Sequence, residues 1–170
     1  MRAVILGGLF GGLILFLWSA LSWMVLPLHA QTLHSFKNET LVESALMASL
    51  DNDQGGVYML PNPHGKKNGP FALVIVNPKG WGEMGVHMLI GFLTQVLGAM
   101  LVTGLLLKTG GMKYWGRVWF VVMFALTAGV IGHLPQWNWW GYSSGFILAE
   151  FVDLFAGWFL AGLVIAKVTK

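Results

Sequence analysis

The sequence predicts an all-α membrane protein, a four-transmembrane-helix bundle with a small extracytoplasmic α+β loop (a short helix plus a β-hairpin) between helices 1 and 2. Three observations predict it. The 170 residues are 56% hydrophobic and only 10% charged, whereas soluble domains carry about 25% charged residues. Four apolar segments are long enough to cross a bilayer. A single sizeable polar stretch divides the chain into residues 1–27, 28–83 and 84–170.

The first apolar segment covers residues 3–26. An apolar run behind Arg2 is also typical of a secretory signal, but this run exceeds the 7–15 residues of a usual signal core, so we expect a retained helix ended by Pro27. Small residues spaced four apart let helix backbones approach closely. The segment therefore predicts a helix-contact face made of Gly7, Gly8, Gly11 and Gly12.

The polar stretch has the signals of a folded unit. Thr40 and Glu43 are spaced as a capping box, with Thr40 as the N-cap of a helix that runs to about Leu50. Residues 57–60 and 71–77 have the composition of two strands, joined by a link rich in Pro, Gly and Asn. We expect the hairpin to lean on another surface, because a lone hairpin is marginal in water.

The other three apolar segments cover residues 84–107, 118–134 and 145–167. Pro135 is expected to end the third, so that residues 135–142 form a link to the fourth. Aromatic side chains in such a link are typical of anchors at the membrane–water interface. The predicted interfacial group is Trp137, Trp139, Trp140 and Tyr142.

Basic residues predict the orientation, because Lys and Arg in short loops favour the cytoplasmic side. The link at 135–142 has none, whereas the other ends of the four segments are flanked by Arg2, Lys108, Lys113, Arg117, Lys167 and Lys170. We therefore expect both termini in the cytoplasm and residues 28–83 outside. In a bacterium this is a multi-pass protein of the inner (cytoplasmic) membrane with a periplasmic loop.

Glu150 and Asp153 are the acids that lie inside an apolar segment. A carboxylate in hydrocarbon costs roughly 2.5–3.5 kcal/mol on insertion scales, so it normally faces protein or water and marks a functional site. Three residues apart, the two share a helix face. Counting 1.5 Å per residue predicts a central polar layer and an outer one. The central layer holds Thr94, Gln95, Thr127 and Asp153, and the outer layer holds His87, His133 and Glu150.

Several function classes lack their sequence signals. No GxSxG, Walker loop, HExxH or strand–GxGxxG–helix motif occurs, so we expect a non-catalytic protein. No basic run with interleaved aromatics indicates nucleic acid as a partner. Without cysteine, thiolate metal sites and CxxCH haem attachment are excluded, and no cofactor is predicted. His29, His34 and His64 are expected to be surface histidines of the polar loop, with loose copper or zinc binding beside Glu39 as the alternative.

The first hypothesis for function is an accessory or assembly subunit of a larger membrane complex, or a homo-oligomer. Its partners would be membrane lipids and other membrane subunits or further copies of the chain. The second hypothesis is a small proton- or cation-coupled transport component that uses Asp153 and Glu150. The third is a metal- or haem-handling membrane protein that uses His87 and His133 as ligands.

Overall fold

The computed structural model describes residues 1–52, 54–62, 64–65 and 68–169. Lys170 of the predicted cytoplasmic flank, and Pro63, Lys66 and Lys67 of the predicted hairpin link, lie outside the described residues. Within the described residues the α-helices are α1 (Arg2–Met24), α2 (Glu39–Ala48), α3 (Met84–Thr109), α4 (Tyr114–Trp140) and α5 (Ser144–Val168). The strands are β1 (Gly56–Leu60) and β2 (Ala72–Val76), and a short 3-10 turn covers Ala30–Thr32.

Over the described residues, four helices, α1, α3, α4 and α5, are long and apolar enough to cross a membrane. They contain between 23 and 27 residues each. The two strands pair antiparallel, from Gly56 opposite Val76 to Leu60 opposite Ala72. The prediction of a mostly helical protein with four long apolar helices and a small sheet is confirmed.

The long helices pack antiparallel. α1 contacts both α3 and α5, α4 packs mainly on α5, and α3 and α4 touch only sparsely. We call the end of the bundle where α1 and α4 end and α3 and α5 begin the loop end, because residues 25–83 leave and return there.

The glycine face of α1 lies in the contacts with α3 and α5, and all four of its glycines are buried. A Cβ added at Gly12 would lie 2.5 Å from the backbone Cα of Val96 on α3. One added at Gly11 would lie 2.9 Å from the Cδ1 atom of Ile165 on α5. The missing side chains are what allow three helices to approach this closely.

The apolar core occupies the half of the bundle away from the loop end, which we call the closed half. All four long helices contribute to it, and its members are almost completely buried. The cluster consists of Leu15, Ala99, Val102, Leu106, Val121, Ala161 and Ile165.

Helix α2 begins differently from the prediction. The N-cap is Asn38, whose side-chain oxygen accepts from the backbone N–H of Leu41 at 3.0 Å. Thr40 lies inside the helix, so the predicted capping box with Glu43 is wrong. Asn is at least as good an N-cap as Thr, and with Asn38 as the cap the helix begins at Glu39, so Thr40 already lies in its first turn.

Helix α4 continues past the predicted end. Pro135 lies inside it and the helix runs to Trp140, so the link to α5 shrinks to residues 141–143. Proline removes one backbone hydrogen bond, but helices of membrane proteins tolerate it because neighbouring groups compensate. The helix ends instead at Gly141, whose φ of 73° is the left-handed conformation favoured by glycine.

Candidate functional site

Two acids of α5 point into the bundle near the loop end. Glu150 and Asp153 keep only 20% and 15% of their side-chain surface exposed. The helix that carries them is anchored at its start by Ser143, whose hydroxyl oxygen accepts from the N–H of Phe146 at 3.1 Å. Both carboxyl groups line one cavity in the bundle.

A histidine from outside the long helices lies between the two acids. His29 is 1% exposed, with Nδ1 3.5 Å from Oε1 of Glu150 and Nε2 3.6 Å from Oδ2 of Asp153. These are ion-pair distances, and neither ring nitrogen makes a hydrogen bond. A neutral imidazole donates through one nitrogen only, whereas the protonated ring donates through both. The protonated form therefore matches both carboxylates.

The chain after α1 holds His29 in this position. The carbonyl of His29 accepts from the backbone N–H and the hydroxyl of Thr32, at 2.9 and 2.8 Å, which closes the 3-10 turn. The ring stacks on Trp23, with centroids 3.9 Å apart and planes at 7°. Phe146 of α5 presents its ring edge at 6.4 Å. An indole face favours a positive charge above it, so this stack also suits the protonated ring.

Trp18 of α1 fixes the second acid. Its Nε1–H donates to Oδ1 of Asp153 at 2.6 Å and approaches the carbonyl oxygen of the same residue at 3.1 Å. The indole comes this close because Gly157 has no side chain: a Cβ there would lie 2.9 Å from Cδ1 of Trp18. The two oxygens of Asp153 are thus divided between Trp18 and His29.

His133 of α4 approaches the second carboxylate oxygen of Glu150. Its Nε2 lies 4.0 Å from Oε2 of Glu150, while its Nδ1 is buried without a hydrogen-bond partner. The result is a row of side chains in the order His133, Glu150, His29, Asp153, Trp18.

The cavity beside this row has a volume of about 240 Å³. It is lined by residues of all four long helices and lies toward the loop end, in what we call the open half of the bundle. The residues around it are mostly polar or aromatic. They are Leu15, Trp18, Ser19, Trp23, Gln95, His133, Glu150, Asp153, Leu154, Gly157 and Trp158.

The polar layers predicted from depth are brought together only in part. Gln95 shares the cavity with the two acids. Thr94 and Thr127 are exposed, and their hydroxyls donate to Ile90 and Met123, four residues earlier in their own helices. A threonine in an apolar helix satisfies its hydroxyl in this way and needs no partner from another helix, so both lie outside the site.

The two histidines predicted as shared ligands face different cavities. His87 is exposed, and its Nε2 contacts the carbonyl oxygen of Trp81. It lines a second, apolar cavity of about 340 Å³ between α1 and α3, whereas His133 lines the first. In the part of the chain that the structure describes, no group of three or more His, Asp or Glu side chains is arranged to hold a metal ion.

The predicted interfacial aromatics lie around the loop end of α4 and α5. Trp137 donates from Nε1 to the hydroxyl of Ser144 at 3.1 Å, and Tyr142 packs on Phe146 with centroids 5.4 Å apart. Trp139 is 71% exposed and Trp140 is 43% exposed.

The prediction of surface histidines holds for His34 and His64, which are exposed, but is wrong for His29. Sequence position placed His29 in a polar loop, and the loop instead folds back against α5. The signal that points to it is indirect: two carboxylates inside an apolar helix need a cationic partner. None of the four apolar segments contains a Lys or Arg near the depth of these acids.

No protein-family model, curated protein or solved structure matches this chain.

Proposed function

We propose that this multi-pass membrane protein carries protons or another small cation across the membrane through the row of His133, Glu150, His29 and Asp153. The single observation that carries the proposal is His29, buried and flanked by one carboxylate at each ring nitrogen. Histidine can take up a proton at one nitrogen and release it from the other, and chains of acids and histidines inside membranes serve as relays.

The surroundings of the acids support transport over a purely structural role. Acids that only join helices are expected to be dry and hydrogen-bonded to polar groups on neighbouring helices. Glu150 instead faces two imidazoles across 3.5 and 4.0 Å, and both acids border a cavity. Proton transfer needs two heavy atoms within about 2.6–3.2 Å or joined through a water, so without a water these pairs would have to close by about 0.3 and 0.8 Å.

We further propose that both termini lie in the cytoplasm and that the loop end faces outward, in the inner membrane of a bacterium. The supporting observation is the charge distribution. Arg2, Lys108, Lys113, Arg117 and Lys167 all lie at the end of the long helices opposite the loop end. With this orientation the cavity lies in the outer half of the bundle, and the closed half would have to open for a proton or cation to pass between the cavity and the cytoplasm.

The test is proton movement in reconstituted vesicles. Vesicles that contain the parent protein and a trapped pH-sensitive dye should dissipate an imposed pH gradient faster than empty vesicles. Asp153→Asn should abolish the difference at equal protein abundance, because the amide keeps hydrogen bonding and cannot carry a proton. Asp51→Asn, at an exposed position of the polar loop, is the matched control and should behave as the parent. Repeating the assay with Na⁺ or K⁺ gradients identifies the cation.

Two outcomes would reject this function. One is parent vesicles that lose the pH, Na⁺ and K⁺ gradients no faster than empty ones. The other is an Asp153→Asn variant that matches the parent. The groups whose titration enters the assay are His29 of the loop, His133 of α4, and Glu150 and Asp153 of α5.

The second candidate is assembly with other membrane subunits or with further copies of this chain. It is supported by glycines that the bundle leaves uncovered: a Cβ at Gly104 of α3 or Gly132 of α4 would meet nothing within 4 Å. Small residues on membrane helices are common at helix–helix contacts. Purification in a mild detergent followed by native mass spectrometry should show a complex that Gly104→Leu weakens and Leu105→Met does not. A monomer free of other chains would reject this candidate.

A further inference from the structure

The apolar cavity between α1 and α3 adjoins the polar cavity of the acids. The two share three lining residues, Ser19, Trp23 and Gln95. The apolar cavity has a volume of about 340 Å³ and is otherwise lined by Phe16, Ala20, Met24, Met84, His87, Met88 and Gly91. The acidic cavity and the apolar cavity therefore meet at these shared residues, and a ligand that spans both would occupy a volume in the size range of small-molecule sites.

The acidic cavity favours positive charge. Glu150 and Asp153 are two carboxylates, and the groups that face them are His29 and His133, which carry charge only when protonated. His29 is 1% exposed and both its nitrogens lack hydrogen bonds, as does the buried Nδ1 of His133. When these rings are neutral, the site has an excess of negative charge that a cation would balance.

The aromatic residues around the acids indicate which kind of cation the site would favour. Trp18, Trp23 and Trp158 line the same cavity as the carboxylates, although one face of Trp23 is covered by the His29 ring and the N–H edge of Trp18 is directed at Asp153. Indole rings near carboxylates are how proteins bind quaternary ammonium groups, which offer a diffuse positive charge and no hydrogen-bond donor.

The apolar cavity opens on the outer surface of the helices. Met24, Met84 and Met88 are 75%, 68% and 41% exposed. Methionine side chains adapt to irregular apolar ligands. Met24 and Met84 are the terminal residues of α1 and α3, so the cavity opens at the loop end of the bundle, where an apolar group can enter from the membrane–water interface.

We propose that the joined cavities bind a lipophilic organic cation, with its ammonium head beside Glu150 and Asp153 and its apolar body between α1 and α3. This rests on the proposed function, since the same carboxylates would carry the transported charge. A cation that takes the place of the proton on the row releases that proton, which couples the two in exchange.

The test measures binding to the full-length protein in nanodiscs, corrected with empty nanodiscs, by calorimetry. Octyltrimethylammonium supplies head and tail, tetramethylammonium supplies the head alone, and octanol supplies the tail alone. We expect octyltrimethylammonium to bind at least tenfold more tightly than either, because each buried methylene contributes about 0.8 kcal/mol. Glu150→Gln should lower the affinity for both cations about tenfold or more.

A substitution that fills the apolar cavity should remove only the contribution that the octyl tail makes to the affinity. Gly91 lines the apolar cavity, and a Cβ added there meets nothing within 4 Å. Gly91→Leu should therefore lower the affinity for octyltrimethylammonium to that for tetramethylammonium. Gly104→Leu, also on α3 and with equally open surroundings, lies outside both cavities and should change neither affinity. Met88→Phe fills the same cavity from an exposed position and replaces Gly91→Leu if that variant does not fold.

The outcomes separate this inference from the proposed function. Octyltrimethylammonium that binds no more tightly than tetramethylammonium, or that is unaffected by a filled apolar cavity, overturns the inference. Proton movement in the parent vesicles then leaves the proposed function intact. Affinities that follow the expected order support the inference, and a vesicle assay without any proton or cation movement would limit the site to binding.

Discussion

The same four helices build both halves of the bundle, but the closed half is tightly packed and the open half contains a cavity. In the closed half, glycine and small apolar residues bring the backbones together and the core residues are almost completely buried. In the open half, mostly polar and aromatic groups surround a cavity of about 240 Å³. The difference follows from side-chain size and charge: small residues allow contact, whereas tryptophans and buried carboxylates hold helices apart.

The comparison also shows where each half obtains its stability. The closed half depends on shape, since a single methyl group at Gly12 would collide with the backbone of α3. The open half depends on a side chain from outside the long helices, His29, which lies within ion-pair distance of both acids of α5. We expect the closed half to be sensitive to volume and the open half to be sensitive to charge.

Access of water to the two halves should differ more than any other property, and labelling of single cysteines measures it. The chain has no cysteine, so each single substitution carries the only thiol. Gln95→Cys lines the cavity, and Ala99→Cys lies one turn further along α3 at a position with 0% exposure. A water-soluble maleimide should modify the first almost completely and the second hardly at all, because it reacts with an accessible thiolate. Equal labelling, read by mass spectrometry, would refute the division into two halves.

The next largest effect is expected from added volume in the closed half. Gly12→Ala should destabilise the protein by about 3 kcal/mol, because the added carbon meets backbone atoms that cannot rotate away. Thermal unfolding in detergent measures it. Gly104→Ala is the control: with open space around it, it should be neutral or slightly stabilising, since alanine favours a helix more than glycine does. Similar losses in both variants would show that the close approach of α3 at Gly12 does not set the effect.

Removal of the cationic partner tests the open half. His29→Leu should cost about 2 kcal/mol, less than the 3–5 kcal/mol for a fully buried pair, because the two acids keep 20% and 15% exposure and border a cavity. Glu150→Gln in the same chain should recover part of the loss by removing one of the unpaired charges. His34→Leu, exposed in the same loop, should have no effect on the unfolding temperature. An unaltered temperature for His29→Leu would show that His29 contributes nothing to the fold.

A smaller effect is expected from the hydrogen bond that holds Asp153. Trp18→Phe keeps an aromatic ring, although a smaller one, and removes the donor at 2.6 Å from Oδ1. Loss of the hydrogen bond alone should cost about 1.5 kcal/mol, as for other hydrogen bonds to charged groups. Trp119→Phe, at a position 48% exposed, is the control for loss of an indole. If both variants unfold at the parent temperature, Trp18 only lines the cavity.

The long helices and the hairpin could be predicted because their signals are local. Apolar length indicates each of the four helices, and strand composition indicates β1 and β2. The end of α4 was mispredicted, because Pro135 stops a helix in water more reliably than in a bundle of apolar helices. The N-cap of α2 was mispredicted because Asn38 and Thr40 are both good caps, and only geometry decides between them.

The candidate site could be predicted only for residues on the long helices. Depth along a helix placed Asp153 and Gln95 in a central layer and Glu150 and His133 in an outer one, whereas all four line one cavity. Depth also could not distinguish Thr94, which is adjacent to Gln95 and faces outward. Helix rotation decides that difference, and rotation depends on packing. His29 escaped prediction because the fold of a loop onto α5 joins residues more than a hundred positions apart.

The position of His29 near the start of the chain has a consequence for biogenesis. Synthesis proceeds from the N-terminus, so α1 and His29 are made long before Glu150 and Asp153, which arrive on the last helix. Each acid entering hydrocarbon alone would cost roughly 2.5–3.5 kcal/mol. Helix α5 therefore inserts most readily beside α1 once His29 is in place to pair with the two acids. Its entry into the membrane is thus coupled to its packing on the earlier helices.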